Sequence, residues 1–296
     1  MMHDSLSHPP SYLKDIRAYI ARMPSLSTTA AKVLETCNNP QSSPNDLNRV
    51  ISLDPVLAAQ VLRLTNSAYY SLSHPVSSLT RAIIMLGINT VKNLVLSFAI
   101  LEQLRKAKSF RALSAQKFWA HSLSVGVIAK CLAMARGVSL SDQEEFFVCG
   151  LLHDLGKIPL NCQFPDEYGQ MLDLAKRSRW SLAHAESVVF GIDHSVIGGL
   201  IAKKWRLSRP FIEALEWHHQ PDKSLPEHQQ LVLIVALADI YSQLLDIGSC
   251  KAAPDGTAFA EYLLERVGVD WPTLYDMRDT VLAEIEKAKI YLEISE

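Results

Sequence analysis

Apolar residues recur at three- and four-residue spacing along nearly the whole of this 296-residue chain, and no stretch alternates long enough to require a sheet. That pattern restricts the fold to helices packed on helices, so the sequence predicts an all-α protein. Tyr12 to Arg22 is a short amphipathic segment stopped by Pro24. Ser27 or Thr28 can cap a helix running to about Cys37, and Ser43-Pro44-Asn45-Asp46 opens another with proline in its first turn. Further helices are expected from Val56 to Asn66, Ser78 to Leu86, Ile88 to Leu104 and Phe118 to Met134. The pattern continues from Phe146 to Asp154, Leu182 to Phe190, His194 to Trp205, Pro210 to His219 and Gln229 to Leu245, then Ala258 to Val267 and Pro272 to Leu292.

A chain of this length exceeds one small core, so two packed helical subdomains are expected. The expected division is an N-terminal segment over 1–20, a helical subdomain over 21–112, a second over 113–248 and C-terminal helices over 249–296. The boundary is placed in Arg105 to Ser114, where 105–111 is charged and short of apolar spacing. A formal charge of -2 with both signs mixed gives no basic stripe for a polyanion, so nucleic acid is not an expected partner. Five scattered cysteines (Cys37, Cys131, Cys149, Cys162, Cys250) show no paired spacing and read as reduced thiols rather than a disulfide framework. The polar start lacks the order of a secretory signal. No apolar run is expected to approach the roughly 20 residues that cross a bilayer, so a soluble, cytoplasmic protein without a membrane partner is expected.

Within this helical text lies Val148-Cys-Gly-Leu-Leu-His153-Asp154-Leu-Gly-Lys157, an apolar turn that delivers a histidine and an aspartate side by side and breaks at Gly156. Imidazole nitrogen and carboxylate oxygen are metal ligands, although a helix end also carries such residues for capping or solvation. Asp239 interrupts Leu231-Val-Leu-Ile-Val-Ala-Leu-Ala, where an ionised carboxylate is costly unless paired or coordinated; the alternatives are an exposed stripe with Gln243 or a bond to a neighbouring histidine. His121 shares a helix face with Val125, Ile128 and Leu132, and reads alone as a satisfied core histidine. His194 stands at a helix start. His218 and His219 end a helix, where imidazolium favours the dipole. Neighbours in a regular helix point about 100° apart, so the pair is not expected to meet one ion.

Taken together, His121, His153, Asp154, His194, His218, His219 and Asp239 offer five imidazoles and two carboxylates from five helices. That donor set suffices for two divalent transition-metal ions, with iron, manganese, zinc and nickel all suited. Two such ions less two carboxylates leave a charge of about +2, which favours a phosphate or another oxyanion, and Lys157 adds a point charge one turn past Asp154.

The order histidine, His-Asp, histidine, His-His, aspartate resembles the HD superfamily of metal-dependent phosphohydrolases, in particular its dinuclear branch with the HD-GYP phosphodiesterases. The upstream text Met23-Pro-Ser-Leu-Ser27, Asn38-Asn39-Pro40, Val50-Ile-Ser-Leu-Asp54-Pro55, Val61-Leu-Arg-Leu-Thr-Asn66-Ser67 and Ser78-Leu-Thr-Arg-Ala82-Ile-Ile-Met-Leu-Gly87 resembles the HDOD family of bacterial signalling proteins. So do Glu186, Gly191-Ile-Asp-His194, Gly198, Trp205 and Glu216-Trp-His-His-Gln-Pro221. The resemblance covers roughly Leu13 to Leu245. It implies an all-α fold whose second subdomain is an HD-type metal-binding bundle, a regulatory role and a signalling protein as partner. The chain departs from HD-GYP enzymes in lacking their glycine-tyrosine-proline loop after His219, where the connector is only Gln220 to His228. Two functions follow as expectations. One is a regulatory module whose metal centre is structural, sensory or binds a phosphate-containing small ligand; the other is a phosphohydrolase acting on a nucleotide, cyclic dinucleotide or phosphate ester, in which Asp154 and Lys157 are catalytic.

Overall fold

The computed structural model describes residues 9–39, 41–105, 110–248 and 257–294. Its regular structure is helical, with no strand among the described residues. Cys250, His3 and His8 lie outside the described residues, as does part of the expected boundary, at 106–109.

Helix α1 (Pro9–Arg22) is followed by the N-terminal subdomain, which holds α2 (Thr28–Asn38), α3 (Pro44–Ile51), α4 (Pro55–Thr65), α5 (Leu79–Leu86) and α6 (Ile88–Arg105). Its helix starts follow from local chemistry. Ser27, Asp54 and Ser78 each accept a hydrogen bond from the amide three residues on, and Ser43 and Asp46 cap each other reciprocally. Leu47, Ile51, Val61, Leu64, Ile83 and Leu94 are fully buried between these helices.

The second subdomain holds α7 (Ala115–Ala135), α8 (Leu140–Leu152), α9 (Lys157–Gln163), α10 (Pro165–Ser178), α11 (Leu182–Phe190), α12 (His194–Lys204), α13 (Arg209–Trp217) and α14 (Gln229–Leu244). Helices α9 and α10 are not among the helices expected from the sequence. The signals of α10 were present: Pro165 at its start, Asp166 and Glu167 in the first turn, Lys176 and Arg177 in the last, and buried Tyr168, Met171 and Ala175 on one face. Its polar composition concealed them.

The central pair is α7 and α8, on which α14 packs. Two glycines set their spacing: a Cβ on Gly150 would lie 2.8 Å from the Gly126 Cα, and one on Gly126 would lie 2.7 Å from the Phe147 carbonyl oxygen. Backbone therefore meets backbone, and the end of α8 is carried alongside α7 at the level of His121. By length and composition α7 could cross a membrane, which corrects the expectation that no apolar run reaches that size. Here 78% of its apolar window is buried, against α8, α14 and the C-terminal helix that follows.

The C-terminal helices α15 (Thr257–Val267), α16 (Trp271–Ala288) and α17 (Ile290–Ile294) return across both subdomains. Helix α15 packs on α14, α16 on α7, and α17 on α4. Elsewhere α6 lies along α8, and α1 meets α9, α11 and α12. At the junction of three regions stands a buried polar network. Glu144 on α8 accepts from Lys130 Nζ at 2.7 Å and from the Tyr291 hydroxyl at 2.6 Å, while Lys130 also donates to the Tyr69 hydroxyl at 3.0 Å. Burial, and next the Glu144 charge, raise the Tyr291 phenol well above its usual range, which keeps it a donor. Replacing Glu144 with alanine leaves Lys130 without its carboxylate, and is expected to cost about 3 kcal/mol in urea unfolding. A loss below about 1 kcal/mol would mean that the network is solvated rather than structural.

Candidate metal centre

Six of the seven donors are placed by a helix end or by the central pair, and Asp239 by α14. His121 lies in the second turn of α7. Helix α8 ends at Leu152, so His153 is its C-cap and Asp154 falls in the following turn, three residues before Lys157 opens α9. Gly156 has an ordinary φ of -66°, so space rather than conformation demands glycine there. A Cβ would collide with the His194 carbonyl oxygen and lie 2.8 Å from the Gly198 amide nitrogen. The turn after Asp154 is thereby pressed against the start of α12. Asp193 caps that helix through the amides of Ser195 and Val196, at 2.9 and 3.1 Å, and so fixes His194 as its first residue. Asp239 sits in the middle of α14 and is 5% exposed.

These side chains converge. His121 Nε2 is 3.0 Å from Asp239 Oδ1 and 3.6 Å from Asp154 Oδ2. His153 Nε2 is 3.4 Å from Asp154 Oδ2 and 3.7 Å from Asp239 Oδ1. On the other side, His194 Nε2 is 3.2 Å from Asp154 Oδ1, 3.4 Å from His218 Nε2 and 2.9 Å from His219 Nε2. Asp154 therefore stands between two lobes, turning one oxygen to each. The expectation that His218 and His219 point apart is corrected here. The helix ends at Trp217, so the two rings leave a turn, with centroids 4.1 Å apart, and both reach His194.

The rear nitrogens explain why the Nε2 atoms face inward. His153 Nδ1 donates to the Gly150 carbonyl at 2.7 Å, and His218 Nδ1 to the Ala214 and Leu215 carbonyls, both at 3.2 Å. His194 Nδ1 donates to Glu186 Oε2 at 2.5 Å. His121 Nδ1 faces the Ser242 hydroxyl at 3.2 Å, Ser242 meets Ser124, and Ser124 donates to the His121 carbonyl at 2.9 Å. A proton on Nδ1 of His153, His194 and His218, which their carbonyl and carboxylate partners require, leaves the lone pair on Nε2, the form in which imidazole binds metal.

Two atoms test whether a metal fits. His153 Nε2 and Asp154 Oδ1 are buried and have no hydrogen-bond partner, a costly condition for any polar group that nothing coordinates. Ligand atoms about 2.1 Å from an ion lie about 3.0 Å apart at a right angle and about 3.4 Å apart in a tetrahedron. The separations above fall around those edges. Three triads have all their ligand atoms within 4.8 Å of one another: His121, His153 and Asp239; His153, Asp154 and His218; and His194, His218 and His219. The residues fit a metal centre.

Electrostatics agree. Burial pushes the Asp154 carboxyl up, but His153, Lys157, His194 and His121 together hold it well below the usual carboxylate range. Burial acts likewise on Asp239, and His121 and His153 beside it outweigh that effect. Burial and the neighbouring His219, His153 and His194 drive His218 well down, so it stays neutral. For His153 burial lowers the pKa, but Asp154 and Asp239 more than offset this, and the same two carboxylates favour any cation beside it. Lys157 Nζ lies 2.5 Å from Asp154 Oδ2, so the point charge foreseen for an anion is bound to the aspartate itself.

Three residues outside the seven donors, Glu186, Ser242 and Gln243, support the cluster. Glu186 backs His194, Ser242 backs His121, and Gln243 donates to Asp239 Oδ1 at 2.9 Å. A signal existed for Gln243, one helical turn after Asp239, and for Ser242, on the same face. Glu186 reaches its partner only across the turn between α11 and α12.

A profile of the HDOD domain matches residues 23–221. In structure, the chain is similar to an HDOD domain protein of unknown function from Geobacter sulfurreducens. The two are 26% identical with a TM-score of 0.75, over 95% of this chain and 97% of that one. It also shares its fold with a candidate phosphohydrolase from Shewanella amazonensis SB2B, at 23% identity and a TM-score of 0.69, over 97% of this chain and 100% of that one. In sequence, it is 24% identical over 227 residues to an uncharacterized protein of Treponema pallidum, covering 76% of this chain and 43% of that protein. It is 29% identical over 159 residues to ribonuclease Y of Mycoplasma mycoides, covering 53% of this chain and 30% of the enzyme. The chain thus spans less than half the length of either.

Proposed function

The chain belongs to the HDOD family, and from that premise we propose that it is a bacterial signalling protein built around a dinuclear metal centre that binds a phosphate-containing small ligand. The observation that carries this reading is the position of Asp154, with one oxygen facing His121 and His153 and the other facing His194. His121, His153, Asp239 and Asp154 Oδ2 would hold one ion. His194, His218, His219 and Asp154 Oδ1 would hold the other. Iron, manganese, zinc and nickel all suit such nitrogen and oxygen donors.

Divalent ions bound there would supply positive charge for a phosphoryl oxygen and acidify water. The chain's own groups do the rest. Asp154 and Asp239 offset part of that charge, leaving about +2 in a buried place, which favours an oxyanion. Lys157 neutralises the outer side of Asp154 and fixes its orientation. The exposed apolar residues Leu53, Val56 and Ile84 of the N-terminal subdomain suit contact with a signalling partner. Free, buried Cys131 and Cys149 suit a reducing cytoplasm.

A second reading, phosphohydrolase, is favoured by the complete donor set together with the likeness to ribonuclease Y, whose name denotes cleavage of RNA. In that reading Asp154 and Lys157 are catalytic, the first as shared ligand and the second as the cation that steadies it. Elemental analysis of the purified full chain is expected to give about two transition-metal ions per chain. Incubation with bis(p-nitrophenyl) phosphate then separates the readings: turnover abolished by Asp154→Ala assigns an enzyme, and loaded protein without turnover leaves the regulatory role. Purification without metal, and no uptake when metal is supplied, would end both.

A further inference from the structure

The imidazoles of the centre do not have equal backing. His121 rests on a hydroxyl, and His153 and His218 rest on backbone carbonyls. His194 rests on a carboxylate. Glu186 Oε2 accepts from His194 Nδ1 at 2.5 Å and also from the His194 amide at 2.8 Å, while its other oxygen accepts from the Tyr168 hydroxyl at 2.7 Å. Glu186 and Tyr168 are both 0% exposed. Three hydrogen bonds therefore hold a buried anion behind one histidine, and they bind together α10, α11 and the first residue of α12.

The placement matters because the two lobes differ in charge. The lobe of His121 and His153 faces two carboxylates, Asp239 and Asp154 Oδ2. The lobe of His194, His218 and His219 offers only imidazoles of its own and meets one oxygen of the shared Asp154, Oδ1, whose partner oxygen is held by Lys157. A dication among those imidazoles meets little compensating charge directly: Asp154 is shared, and Asp193, close enough for His194 and His219 to lower its pKa, is spent on the cap of α12. Glu186 provides such charge through the ring of His194, the nitrogen of which touches every other donor of that lobe. The carboxylate also fixes the tautomer and orients the ring, the two means by which such outer partners strengthen a metal site.

We infer that Glu186, held by Tyr168, is the positioning residue that loads the histidine-rich lobe, and that without it the protein carries one ion rather than two. The inference rests on the dinuclear reading above and deepens it. Its test is titration of the metal-free full chain with Co(II), followed by calorimetry and by the visible absorption of the bound ion. Wild type is expected to bind in two phases. Glu186→Gln, which keeps shape but removes charge, is expected to weaken one phase 10- to 100-fold and leave the other unchanged. Asp239→Asn is expected to weaken the opposite phase. Glu186→Asp, which restores the charge, should recover part of the loss, whereas a purely structural role would lower the melting temperature of the metal-free chain and move both phases together. Equal weakening of both phases in Glu186→Gln, or no change in either, overturns the assignment while the dinuclear reading stands. A wild-type chain that binds a single Co(II) overturns the dinuclear reading, and this inference with it.

Discussion

Asp154→Asn is expected to strip the protein of metal at both lobes at once, with uptake of either ion weakened by more than about 100-fold, because one carboxylate serves both. No other donor should behave in this way. Asp239 faces the ring nitrogens of His121 and His153, and His219 is placed against His194, so changes at either act on one lobe. The same substitution should destabilise the metal-free chain. Asp154 is 1% exposed and Lys157, which it binds, is 9% exposed, so removing the anion takes from a buried cation the carboxylate at 2.5 Å, at a cost of about 3 kcal/mol. Combining Asp154→Asn with Lys157→Met should return much of that stability without returning metal. The two losses are therefore separable by urea unfolding and elemental analysis on the same samples. Two ions retained in Asp154→Asn would show that the lobes do not share this residue.

Gly156→Ala is expected to be the most damaging single methyl group in the second subdomain. Its Cβ would overlap the His194 carbonyl and lie 2.7 Å from the carbon that bears it, and these are backbone atoms that cannot turn away. Ordinary overpacking costs about 1 to 3 kcal/mol; a collision with backbone at a helix start belongs to the rarer class above about 4 kcal/mol. If the chain relieves it by moving α12, the shift falls on His194 and separates its Nε2 from Asp154. Either unfolding or selective loss of the histidine-rich lobe is expected, read from the urea midpoint and from the Co(II) phases. A variant that melts and binds as wild type does would mean that the turn and α12 are not pressed together.

Local chemistry made most of the helices legible in the sequence. Ser43-Pro44-Asn45-Asp46 carries a reciprocal cap whatever surrounds it, and Gly87 stops α5 where the sequence placed the stop. Helix α10 was missed because its burial rests on Tyr168, Met171 and Ala175 among charges, a face too narrow to stand out without the neighbour that covers it. The seven donors were legible as a set because histidine and aspartate in apolar text are costly without a purpose. His218 and His219 were misjudged, since their divergence assumed a helix that in fact ends one residue earlier.

The amino-acid sequence by itself determined that the chain is helical, where most of its helices begin, and which histidines and aspartates stand in apolar text, because periodicity, caps and donor chemistry are properties of short stretches. Tertiary structure alone decided that Asp154 faces two lobes, that Glu186 stands behind His194, and that Lys157 is bound to Asp154. Each of these depends on residues brought from different helices to within about 4 Å, and such distances are set by the packing of α7 on α8 and of α12 on the turn at Gly156, which no local pattern encodes.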